Sequence, residues 1–138
     1  MITVREFKNI INQCPKDFTL SLKKWEHCTE EELQKRSYPM PNRVSVKIAG
    51  IIKDYNEFDT NTFKFILKDD FDNDLEGTPQ EILDIFCKDL SDYDLLCFKL
   101  QVGTEMIPLN VEVGDIGYSD KIMNIEFEEN KWLLRINF

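Results

Sequence analysis

The sequence predicts an α+β fold: two α-β-β-β pseudo-repeats forming a mainly antiparallel sheet of about six strands, with two main helices and one short helix. Three observations predict it. Segments 3–24 and 78–99 align without a gap at an offset of 75, and each opens T-x-x-E. Both segments then pass from helical spacing of apolar residues to strict alternation. Each half continues into further strand-like runs joined through short polar stretches. The 138 residues fit one domain, made of pseudo-repeats 1–75 and 76–138.

In the aligned segments Thr3 meets Thr78, Glu6 meets Glu81, Ile10 meets Ile85, Asp17 meets Asp92, Leu20 meets Leu95 and Lys24 meets Lys99. Thr at the N-cap accepts the N3 amide while Glu at N3 reaches back to the N-cap amide. Pro79 stands at the first helical position, where its missing N–H is harmless. Apolar stripes follow at 7, 10, 11 and 14 and at 82, 83, 85 and 86. Pro15 stops the first helix by disfavouring helical geometry in the residue before it. Phe18, Leu20 and Leu22 then alternate with polar residues, and Tyr93, Leu95 and Cys97 are expected to face inward in the same phase.

Further strands are expected over 44–55 and 61–68 in the first half, and over 121–127 and 132–138 in the second. Phe63, Phe65 and Leu67 then correspond to Trp132, Leu134 and Ile136 as inward residues. Between first strand and hairpin, the first half carries a short helix capped by Thr29 and Glu32. The second half carries Q-V-G-T-E-M-I-P-L-N-V-E-V-G-D-I-G-Y-S-D, which can add a strand over Leu109, Val111 and Val113. These two irregular segments are where function is expected, since loops on a rigid scaffold commonly carry it.

Composition bounds the function classes. Apolar residues make up 42% and charged residues 31%, which supports a folded core. No basic stretch followed by a long apolar run opens the chain, and no apolar run approaches the roughly 20 residues a helix needs to span a bilayer. A cytoplasmic location, no membrane contact and four free thiols are expected. Residues 1–75 hold 12 Lys and Arg against 13 Asp and Glu; residues 76–138 hold 5 against 13, and the total is −9. The second half repels phosphate backbones, so nucleic acid is excluded and a basic protein partner is favoured.

One run comes near a chemical signature. In D-D-F-D-N-D-L-E-G-T-P-Q-E, Asp70, Asp72, Asp74 and Glu81 fall at positions 1, 3, 5 and 12 of a calcium loop, but position 6 is Leu75 where glycine is needed. Glu81 is already explained by its capping box. The run therefore reads as a connector, and metal binding through Asp70, Asp72 and Asp74, as a calcium protein or a metal-dependent enzyme, is the alternative reading. The sole histidine, His27, stands beside Cys28; neighbours in sequence point different ways, which argues against a Cys-His dyad and against zinc. No phosphate-binding glycine motif or nucleophile elbow occurs. No cofactor is implied.

Trp25, Tyr38 and Tyr118 are candidate aromatic anchors for a partner, with Asp115 and Asp120 supplying charge beside Tyr118. The opening T-V-R-E-F-K-N-I-I-N-Q-C-P-K-D-F-T-L-S-L resembles that of small uncharacterised bacterial and phage-associated proteins, in which a T-V-x-E helix runs through P-x-D into a strand. The resemblance covers about 20 residues and implies a helix-to-strand module without an activity; Phe7 stands where Leu is commoner. The expected function is a non-catalytic, acidic, cytoplasmic interaction module of the immunity or phage and mobile-element accessory type. A small-molecule site between the two pseudo-repeats is the third reading.

Overall fold

The computed structural model describes residues 1–55, 57–73, 75–117 and 120–129. Its elements run β1 (Ile2–Thr3), α1 (Val4–Ile11), β2 (Thr19–Trp25), α2 (Glu30–Gln34), β3 (Arg43–Tyr55), β4 (Asn61–Asp70), β5 (Glu76–Gly77), α3 (Pro79–Cys87), β6 (Leu95–Val102), β7 (Glu105–Gly117) and β8 (Ile122–Glu129).

Both main helices start at their predicted N-cap threonines, but the reciprocal capping box is complete only at Thr3; at Thr78 only the threonine half is made. Thr3 Oγ1 accepts from the Glu6 amide at 3.1 Å, and the Glu6 carboxylate accepts from the Thr3 amide at 3.4 Å. Thr78 Oγ1 accepts from the Glu81 amide at 3.2 Å. The Glu81 side chain folds back over Gly77, where a Cβ would lie 2.8 Å from Oε2. Replacing Thr78 with alanine leaves an amide of the first turn without its cap. We expect Thr78→Ala to cost about 1 kcal/mol in urea unfolding; no loss would mean that water caps the turn equally well.

The expected α+β architecture is overturned: the chain is mostly β, and its sheet closes. Strands run β6-β4-β3-β2-β8-β7, and β7 pairs back onto β6, giving a closed six-stranded barrel with β1 and β5 added at β6 and β2. Two pairs are parallel, β2 with β8 and β4 with β6; the remaining pairings are antiparallel. Closure removes most of the edge an open sheet would expose.

Pairings made in the first half recur in the second. As β2 pairs β3 and β3 pairs β4, so β6 pairs β7 and β7 pairs β8. The parallel pair β4–β6 answers β8–β2, and β5 on β2 answers β1 on β6. By this equivalence Phe65 and Leu67 correspond to Ile125 and Phe127, not to Leu134 and Ile136. The expected strand 132–138 lies outside the described residues. Its place in the scheme is taken by β8, because the optional strand over Leu109–Val113 is a full 13-residue strand, β7. The turn into β7 was overlooked: Val102 pairs Glu105 across Gly103–Thr104, with Gly103 at φ 60°, the two-residue hairpin that a leading glycine permits.

A second correction concerns phase. In β6 the buried residues are Leu96, Phe98 and Leu100, whereas Tyr93, Leu95 and Cys97 were expected. The helix caps are 75 apart but the inward leucines, Leu20 and Leu96, are 76 apart. α3 is one residue longer than α1, and in a strand one residue exchanges the two faces.

The core is aromatic at its centre. Phe98 lies 5.5 Å from Phe7 of α1, 5.9 Å from Phe86 of α3, 5.9 Å from Phe65 and 5.1 Å from Phe127, centroid to centroid. Val4, Phe7 and Ile11 of α1 and Ile82, Leu83 and Phe86 of α3 are buried; Ile85, expected in the stripe, is exposed. Because β2, β4, β6 and β8 all run in one direction, they begin at one end of the barrel and finish at the other. Amides of Val4 and Arg5 donate to Asp94 and Asp92, just before β6, so α1 sits toward the starting end. The finishing end is the mouth.

Candidate functional site

Alternation along β2 turns Leu20 and Leu22 inward and makes Lys24 the next inward residue. Its counterpart on β6 is Leu100. Lys24 is 2% exposed, and its Nζ lies 2.9 Å from Asp69 Oδ1 and 3.9 Å from Glu129 Oε1 while donating to the Trp25 carbonyl. Asp69 and Glu129 follow Leu67 and Phe127 by two residues, at the finishing ends of β4 and β8. Three inward ionisable groups thus meet in the last layer of the barrel.

The chain leaving β2 closes over them. Glu26 donates its amide to the Asn42 carbonyl at 2.8 Å, and its buried carboxylate accepts from Arg36 and from the Asn42 amide. The Arg36 guanidinium, foremost, and the Asn42 amide hold the Glu26 carboxyl below the usual carboxylate range. The His27 amide donates to Asp69 Oδ2 at 3.0 Å, and its ring Nδ1 lies 2.9 Å from Glu129 Oε1. With Glu129 ionised, Nδ1 must be the donor. Burial pushes the Cys28 thiol up, and His27 is directed at Glu129, so the two do not form a dyad. Beside His27 a cleft of about 370 Å³ opens between the end of β4 and the β6–β7 turn, lined by His27, Lys68, Asp69, Gln101 and Gly103 among others.

Two of the predicted anchors, Trp25 and Asp120, lie at opposite ends of the barrel. Trp25 lies at the mouth with the Arg43 guanidinium 5.3 Å from its ring centre, whereas Asp120 precedes β8 at the opposite end. Tyr38 is exposed in the loop after α2, Asp115 falls within β7, and Tyr118 lies outside the described residues. Asp70 is engaged locally: its carboxylate accepts from the amides of Asp72 and Asn73 at 3.1 and 3.3 Å. These bonds, the Asp72 amide foremost, keep it below the usual range. Asp72 is exposed and Asp74 lies outside the described residues. No cluster of three or more His, Cys, Asp or Glu among the described residues could hold a metal. All four cysteines are free thiols, and burial raises that of Cys87 to about 11.

Another surface went unnoticed in the sequence. β2 pairs β3 only over Arg43–Ser45, so from Val46 to Tyr55 β3 has β4 on one side and no strand on the other among the described residues. This stretch and its turn expose Ile51 by 55%, Ile52 by 48%, Tyr55 by 73% and Phe58 by 78%. The signal was present in I-I-K-D-Y-N-E-F, where apolar residues occupy both faces of one strand. No family model, curated protein or solved structure matches the chain. No helix among the described residues is long and apolar enough to cross a membrane.

Proposed function

We propose that this chain is a cytoplasmic interaction module that captures a basic protein partner by adding an extended segment of it to β3. The observation that carries this reading is the edge from Val46 to Tyr55, rimmed by exposed Ile51, Ile52, Tyr55 and Phe58. An edge strand offers main-chain donors and acceptors to an incoming strand, and alternate side chains supply selectivity. Natural edges are usually guarded by inward charge or proline. Here Lys53 lies over the rings of Tyr55 and Phe63 at 5.5 and 5.7 Å, so its charge is drawn to the ribbon's aromatic side. The edge itself carries Lys47 and Lys53 against Asp54, so the support for a basic segment is Glu57 and Asp59 at the turn, with the chain charge of −9 speeding the encounter.

Selection from a random-peptide library tests it. Selected peptides should alternate basic with β-branched or aromatic residues, protect amides of residues 46–55 from hydrogen exchange, and weaken with salt. Ile51→Lys places a cation on the edge and should lower affinity at least about tenfold. Binders that leave those amides unprotected, or ignore Ile51→Lys, would place the interaction elsewhere.

A further inference from the structure

The mouth carries an inference independent of the β3 edge. Packing does not call for Lys24, since Leu100 fills the equivalent position on β6. Ionisable groups withdrawn from water are costly unless paired, and such clusters beside a cleft mark candidate sites. The cluster adjoins the cleft of about 370 Å³.

Hydrogen bonding sorts the charges. Asp69 turns Oδ1 to Lys24 and Oδ2 to the His27 amide, and Glu129 Oε1 faces the His27 ring and Lys24. Both carboxylates are thus directed into the protein. The groups left to the cleft are the Lys68 ammonium, the Gln101 amide and His27 Nε2, which has no partner among the described residues. Lys68 and Asp69 balance in the lining, but both Asp69 oxygens are taken by Lys24 and the His27 amide, so the Lys68 ammonium is the charge left to the cleft.

We infer that the mouth cleft binds a small oxyanion between Lys68 and His27 Nε2, and that binding takes up one proton. Nδ1 carries the hydrogen donated to Glu129, so Nε2 can donate to an anion only when the ring is the imidazolium. Among the described residues the charged groups around the ring are Glu129 from β8, Asp69 and Lys68 from β4, and Lys24 from β2; β6 presents none at Leu100–Gly103, and Glu26 is held by Arg36. Carboxylate and sulfate or phosphate groups share this chemistry and differ in shape.

As His27 is the only histidine, its ring gives one set of imidazole signals. Isotope-labelled protein is titrated with sodium acetate and, separately, sodium sulfate at constant ionic strength, with chloride as reference. At least one anion should move the His27 signals saturably toward the imidazolium position, and the arm that does so tells planar from tetrahedral. Above the ring's titration, affinity should fall about tenfold per pH unit, as one linked proton requires. Lys68 is exposed, so Lys68→Ala should fold normally and bind about tenfold more weakly. No saturable movement with either anion, equal affinity in Lys68→Ala, or pH-independent binding would overturn the site.

Discussion

Replacing Lys24 with alanine is expected to cost about 3–5 kcal/mol, because it removes the buried cation that lies 2.9 Å from Asp69 and 3.9 Å from Glu129. In a chain of this size that corresponds to a fall of about 10–20 °C in Tm. The loss is one of electrostatics more than of packing. Lys24→Leu, which copies the residue at the equivalent position on β6, should be nearly as damaging, since the leucine fills the space but neutralises neither Asp69 nor Glu129. Adding Asp69→Asn and Glu129→Gln to Lys24→Leu should restore most of the stability. A buried ionic group replaced as a whole is often neutral or stabilising, whereas removal of one partner is not. Urea unfolding of the three variants checks the scheme; a loss below about 1 kcal/mol in Lys24→Ala would mean that water reaches Asp69 and Glu129 in the folded protein.

The same lysine shows what was legible in the sequence. Alternation through Phe18, Leu20 and Leu22 is followed to its next step at Lys24, so an inward lysine could have been read directly. Asp69 and Glu129 could not, because they join it only once β2, β4 and β8 are known to run together. Periodicity tells which side of a strand faces the core, not which strand lies beside it. The pairings β2–β8 and β4–β6 connect stretches far apart in sequence and are what turn an expected open sheet into a barrel. The caps at Thr3 and Thr78 were legible because they are local. The phase of β6 was lost to one residue between cap and strand, and β7 was undervalued because Pro108 and Gly114 look unlike strand residues; Pro108 pairs Lys99 in the short β6 overlap, before β7 passes to β8.

Closure itself makes the last and equally large prediction. Phe98 on β6 and Phe127 on β8 have β7 between them in the sheet, yet their rings meet edge to face at 5.1 Å. They meet because both side chains point into the barrel. Phe98 also touches one phenylalanine from each main helix, so Phe98→Ala removes the centre of the core and should cost about 3–5 kcal/mol. Phe98→Leu, which keeps most of the volume, should cost less than about 1.5 kcal/mol. The variant pair Phe98→Ala and Phe127→Ala tests geometry more sharply than either alone. A ring pair in contact should show a coupling of about 0.5–1.5 kcal/mol in a double-mutant cycle. An open sheet with the order β6-β4-β3-β2-β8-β7, lacking the closing β6–β7 pairing, would hold the two rings apart across β4, β3 and β2 and give additive losses. A coupling near zero would therefore contradict the closed barrel even if each single loss were as large as expected.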